Sequence, residues 1–190
     1  MSTTRRSGGH NRRHQIKPGE NEKTRSITDF LVKDHGRLEE LLQSAMAQAG
    51  AVDQRTYDQF RAGLLRHIGM EEKILLPAAQ RLRGGAPLPI AAKLRLDHGA
   101  IASLLMPPPT VAVIATIRAV LKVHDTIEEG PGGLYETCDA LAGSEAAQLL
   151  AKLQAAPELA VLPCSDSPVV MPAVVRALER AGYSFCEGTI

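Results

Sequence analysis

The sequence predicts an all-α fold: an up-down-up-down four-helix bundle followed by short C-terminal helices. Three observations carry that expectation. Apolar residues recur at spacings of three and four through four long stretches, the period of a helix that buries one face. Apolar residues make up 44% of the chain while aromatics reach only 3%, with no Trp, so the core must be built from aliphatic side chains of the kind that pack between helices. Gly and Pro gather between the stretches, where helices have to stop.

At 190 residues the chain can form one domain with a proper core and some chain to spare. The expected organisation is a disordered basic tail over residues 1–25, the bundle over 26–137 and a helical extension over 138–190. The tail holds seven Lys/Arg against two Glu, so it carries +5 and the rest of the chain −4. No aromatic residue interleaves those charges, and the tail reads as a solvated extension rather than a nucleic-acid arm. No stretch approaches the roughly 20 apolar residues that span a bilayer, so no membrane partner is expected. Cys138, Cys164 and Cys186 are odd in number, far apart and without a C-x-x-C arrangement, which points to a reducing compartment and a cytoplasmic location. They read as structural or incidental, with a redox or iron-delivering thiol as the alternative for Cys138 and Cys164.

The first helix opens at Ser26, a capping residue with Asp29 at the favourable end of the dipole, and is expected to reach Ala49 before Gly50. The second runs from Asp53 to Arg83, with Pro77 as a kink and Gly84-Gly85 as its stop. The third starts at Pro89 and ends near Met106, before three prolines. The fourth runs from about Thr110 to Glu129, ahead of Gly130-Pro131-Gly132-Gly133. Shorter helices come after it, with starts at Ser144 and Ser167-Pro168 and a stop at Gly182.

His10 and His14 lie in the tail, and each long helix holds one of the other four histidines. The apolar stripes read Ile27, Leu31, His35, Leu38, Leu42; then Phe60, Leu64, His67, Glu71, Ile74, Ala78; then Ile90, Leu94, His98, Ile101, Leu105; and Val113, Ile117, Val120, His124, Glu128. Four imidazoles and two carboxylates thus interrupt faces that should point at the core. Neither glutamate has Arg or Lys in its own stripe, and a buried unpaired carboxylate costs several kcal/mol. A cation resolves that conflict. A spacing of four places His67 beside Glu71 and His124 beside Glu128. The depths agree as well: His35 and His98 each lie nine residues past a helix start, His67 and His124 each 14. Helices three and four match less well toward their shared end, which predicts a fourth helix beginning later than Thr110.

Six ligands are too many for one tetrahedral zinc and suit two ions bridged by the two carboxylates, with two imidazoles on each. Nitrogen and oxygen donors without thiolate favour iron or manganese. The Glu-x-x-His spacing of ferritin-like bundles is missing. Glu72 and Glu129 fall roughly 140° around the helix from His67 and His124 and read as a solvated face. Asp34 and Asp97 either accept from a neighbouring imidazole or are exposed. Spacing alone does not place Tyr57 or Tyr135.

DHGRLEELL (34–42), HIGMEEKILLP (67–77), LDHGAIASLL (96–105) and HDTIEEGPGGLYE (124–136) together resemble the helix signatures of the hemerythrin-like, or HHE cation-binding, family. The resemblance covers roughly residues 26–137. It implies a four-helix bundle around two iron ions (Fe2+/Fe3+) bridged by oxo or hydroxo, with manganese or zinc as the lesser options. His35, His67, His98 and His124 would be terminal ligands, and Glu71 and Glu128 would bridge. Oxygen-carrying members use a fifth histidine one turn from that on the third helix; here those positions are Leu94 and Ala102, so the chain resembles the four-histidine members. The function so implied is binding of, or reaction with, O2, peroxide or NO. The alternatives are an iron donor or repair protein for damaged iron–sulfur clusters, and a non-catalytic iron- or oxygen-sensing module. A structural zinc is the blandest reading.

Overall fold

The computed structural model describes residues 26–47 and 51–186. The expected tail with His10 and His14, and the stop at Gly50, lie outside the described residues. The described chain is all-α, with no strand among its residues. In order it forms α1 (Ile27–Ala45), α2 (Gln54–Met70), a π turn (Glu71–Leu75), α3 (Leu76–Leu82), α4 (Ala91–Leu104), α5 (Val111–Glu129), α6 (Leu134–Ala142), a short 3-10 turn (Gly143–Glu145), α7 (Ala146–Gln154) and α8 (Val170–Ala181). None of these helices is long and apolar enough to cross a membrane.

The helix starts obey local chemistry. Ser26 and Asp29 form a reciprocal capping box on α1. The Asp53 carboxylate accepts from Arg55 N and Thr56 N at the start of α2. Thr110 Oγ1 accepts from Val113 N, so α5 begins directly after Thr110 and not later, as the depth of His124 suggests. The α1 helix stops at Ala45, short of Ala49, and α4 spans Ala91–Leu104 rather than Pro89–Met106. Gly182, at φ 85°, supplies the left-handed stop of α8.

The predicted second helix is not a single α-helix kinked at Pro77. Its turn at Glu71–Leu75 is widened to π geometry, and Leu76 N–H reaches back to the Glu71 carbonyl. An uninterrupted α pattern would ask Pro77 for an N–H that proline does not have, opposite the Lys73 carbonyl. Widening the turn one step earlier takes up that mismatch, and it does so at Glu71.

Two apolar clusters make the core. One gathers Leu38 and Leu42, Phe60 and Leu64, Ile101 and Leu104, Ile117 and Val120, and from α8 Val170, Val174 and Leu178. The other gathers Ile27 and Leu31, Met70 and Leu75, Leu94, and from α6 Leu134 and Tyr135. Each long helix passes from one cluster to the other, and its histidine sits at the crossing point: His35 between Leu31 and Leu38, His67 between Leu64 and Met70, His98 between Leu94 and Ile101, and His124 just beyond Val120. The core is therefore two apolar slabs with a polar layer between them.

The C-terminal segments are part of this core. A boundary at residue 137 would cut through α6, and α8 packs along α4. Cys138, expected just outside the bundle, is 1% exposed inside the second cluster. The return of α6 onto the bundle depends on Gly133. A Cβ there would stand 2.6 Å from the Glu128 carbonyl oxygen and 2.7 Å from those of Ile127 and Gly130. Gly133→Ala should therefore displace α6 and lower the thermal midpoint by several degrees, read by circular dichroism, although the glycine's own φ of −68° suits any residue. An unchanged midpoint would show that the turn opens without resistance.

Candidate metal centre

All six sequence-predicted ligands meet in the polar layer. They form two groups, His35/His67/Glu71/Glu128 and Glu71/His98/His124/Glu128, in each of which the nearest ligand atoms lie within 4.8 Å of one another. Both glutamates are 0% exposed and belong to both groups. Their oxygens divide between the two. Glu71 Oε1 lies 3.4 Å from His67 Nε2, and its Oε2 lies 3.1 Å from His98 Nε2. Glu128 Oε2 lies 3.5 Å from His35 Nε2, and its Oε1 lies 3.1 Å from His124 Nε2. Each carboxylate thus offers one oxygen to either side, which is what bridging two ions requires.

Four further carboxylates face the outer ring nitrogens. His35 Nδ1 donates to Glu129 at 2.5 Å, His67 Nδ1 to Asp34 at 2.9 Å and His98 Nδ1 to Glu72 at 2.7 Å. Asp97 stands 3.6 Å from His124 Nδ1, drawn aside by Lys93 Nζ at 2.5 Å. A carboxylate accepting from Nδ1 leaves the Nε2 lone pair aimed inward, the tautomer a metal ligand needs. The pattern is doubled: the aspartate before one histidine faces the next helix's histidine, and the glutamate after each inward glutamate holds a histidine from the other half. Glu72 is half-buried and Glu129 exposed, so they do meet solvent, but each also faces an imidazole of the centre. A position flanking the inward stripe is where the outer edge of a neighbouring helix's imidazole comes within reach. Their signal in the sequence was the Glu-Glu pair present in both motifs.

Of the two tyrosines that spacing left unplaced, Tyr57 stacks on Phe60 in the core, while Tyr135 enters the centre. Its hydroxyl lies 2.7 Å from Glu71 Oε1, 2.9 Å from Glu128 Oε2 and 3.1 Å from both His35 Nε2 and His67 Nε2. Burial and the charges on Glu71 and Glu128 push its phenol well above the usual value.

The donor set fits a cation better than it fits itself. Glu71 Oε2, Glu128 Oε1 and His98 Nε2 are buried with no hydrogen-bond partner, although His98 Nε2 and Glu71 Oε2 face each other closely. His35 Nε2 and His67 Nε2 point at one another across 2.9 Å. The carboxylates and imidazoles shift one another's proton affinities. Burial would lower the His67 imidazole, but Glu71 and Asp34 outweigh it and lift it to about 10. Glu128 and Glu71 lift His98 to about 10, and Asp97 and Glu128 lift His124 to about 9, each against burial. Burial would raise Glu71, yet His67 and His98 hold it well below the carboxylate range. Asp34 is held at about 2 by His67 and Arg37 despite its burial.

Only a neutral imidazole can ligate, so a metal must displace these protons. Apparent metal affinity should rise with pH up to about 9 to 10, and loading at neutral pH should release protons, measurable by calorimetry in buffers of different ionisation enthalpy. Affinity that does not change with pH would contradict the charge balance described. Asp34→Asn, which removes the acceptor for His67, should weaken metal binding about 10- to 100-fold in competition titrations while helix content is unchanged. Wild-type affinity in that variant would mean the Asp34–His67 contact orients nothing.

The family model described as the hemerythrin HHE cation binding domain matches residues 26–107, from the cap of α1 to the proline run after α4. His35, His67, Glu71 and His98 fall inside that match; His124, Glu128 and Tyr135 lie beyond it. No curated protein and no solved structure matches the chain. Over residues 26–107 the chain is thus similar to the hemerythrin HHE cation binding domain, and its buried His/Glu groups could hold metal ions.

Proposed function

We propose that the chain is a non-haem di-iron protein of the four-histidine hemerythrin-like type, which binds or reacts with O2, peroxide or NO. The ligands are His35, His67, Glu71, His98, His124 and Glu128. The observation that carries this reading is the sharing of two fully buried carboxylates between two four-donor groups. Such a set suits a pair of ions, and its nitrogen and oxygen donors without thiolate favour iron or manganese. In this reading the four long helices run up-down-up-down. The support is the order in which they visit the two apolar clusters: α1 and α4 pass through the Leu31/Leu94 cluster first, α2 and α5 through the Phe60/Val120 cluster first.

When bound, a pair of irons supplies one-electron redox chemistry and coordination positions for small oxidants. The chain's own residues supply the rest. Glu71 and Glu128 neutralise and join the two positions, and the carboxylates on Nδ1 hold the imidazoles in line. The apolar slabs exclude water from above and below. A surface cavity of about 320 Å³, lined by His35, Leu38, Leu64, Leu121 and Asp125 among others, borders the centre at His35 between α1 and α5. Iron delivery through a thiol finds less support. The Cys138 side chain is buried and pushed up to about 12 by burial and the charges of Asp139 and Glu71, so it holds its proton at neutral pH.

Elemental analysis of protein purified without added metal tests the proposal. Close to two irons per chain, with near-ultraviolet absorption that reduction bleaches, is the expected result. Glu128→Ala should lose at least one of them and melt at a lower temperature. A single zinc, or full metal content in Glu128→Ala, would overturn the assignment.

A further inference from the structure

Tyr135 is a polar group of the centre to which neither the family match nor the six-ligand reading gives a role. Its hydroxyl is not beside the first group but among its donors. His35 Nε2, His67 Nε2, Glu71 Oε1 and Glu128 Oε2 lie 3.1, 3.1, 2.7 and 2.9 Å from it. Neighbouring donors within that set are 2.9 to 3.5 Å apart. Adjacent ligands around an ion bound at ~2.1 Å stand ~3 Å apart, since the edge of an octahedron is √2 times its bond length. Five donors at one another's coordination-edge distance have the spacing of ligands around one ion. As a hydrogen-bonding group the hydroxyl is overcommitted, because its one proton cannot serve both carboxylates even where its oxygen accepts from the imidazoles.

The helix that carries Tyr135 is pinned on both sides of that residue. Gly133 allows the tight return from α5. One turn beyond Tyr135, Asp139 accepts from Ile27 N and Thr28 N at 3.0 Å and from Thr28 Oγ1 at 2.6 Å, tying α6 to the start of α1. The phenol is itself fully buried and is thereby held toward His35, on α1, whose side chain is 12% exposed.

Building on the di-iron reading, we infer that Tyr135 is a fifth protein ligand, coordinating through its phenol oxygen the ion held by His35, His67, Glu71 and Glu128. The Tyr135 O–H bond breaks as the iron–oxygen bond forms, and the proton leaves to bulk water. The second position, held by His98, His124, Glu71 and Glu128, then has four protein donors against five. The two halves of the centre become unequal, and the position with fewer protein donors is the one open to an exogenous ligand.

The test is to load metal-free full-length wild type and Tyr135→Phe with ferrous iron, oxidise both in air, and record iron per chain, visible absorption and resonance Raman spectra. The expected result is two irons in both proteins, with a visible phenolate-to-ferric band and tyrosinate ring vibrations in wild type that vanish in Tyr135→Phe. Two irons in wild type without those vibrations would overturn the Tyr135 ligand and leave the di-iron reading standing. The same band persisting in Tyr135→Phe would also overturn it, since another phenol would be the source. No iron in wild type would overturn both.

Discussion

Two carboxylates without solvent access, at the level where four helices meet, are the constraint on which the rest of the structure depends. An ionised carboxylate in such a place costs several kcal/mol unless something positive stands beside it. No Lys or Arg of the described residues reaches Glu71 or Glu128; their neighbours are four imidazoles and one phenol. Imidazoles can answer that charge in two ways, by taking up protons or by sharing a cation. Through protons, the carboxylates lift three of the histidines far above their usual range. A cation would replace those protons with a single, better-placed charge.

The polar layer also explains the arrangement of the core. A continuous apolar core would bury the same side chains without dividing them, but the six donors must lie at one depth, so the Leu, Ile and Val residues segregate above and below. Asp34, Asp97, Glu72 and Glu129 extend the layer outward to the surface and link the helices through the histidine rings. Because each half of the chain supplies one carboxylate to its own second histidine and one to the other half, the links cross the molecule in both directions. Loss of one link leaves an imidazole free to turn.

The six candidate donors are arranged symmetrically, but the segments after the two inward glutamates are not. After Glu71 the helix widens into a π turn and continues through Pro77 into α3. After Glu128 it ends at Gly130, and α6 folds back. Only the second route returns a side chain to the centre, and Tyr135 therefore stands on the His35/His67 side alone. An approximately two-fold set of donors is made unequal by the turn after α5.

The convergence of the six candidate donors was legible in the sequence because helical spacing is local: i and i+4 share a face wherever the helix lies, and a histidine or glutamate in an apolar stripe declares its own burial. The capping box at Ser26, the stop at Gly182 and the pairing of His67 with Glu71 and His124 with Glu128 come from such short-range geometry. What only the tertiary structure decided involves partners distant in sequence. Glu72 faces His98 and Glu129 faces His35 because of how neighbouring helices sit, which a single helix's periodicity does not encode. The same holds for α6: Gly133 has an ordinary φ, and its importance comes from three carbonyl oxygens that surround it once the turn has closed. Tyr135 reaches the centre through that turn and the Asp139 contact to α1, a long-range pairing across 112 residues.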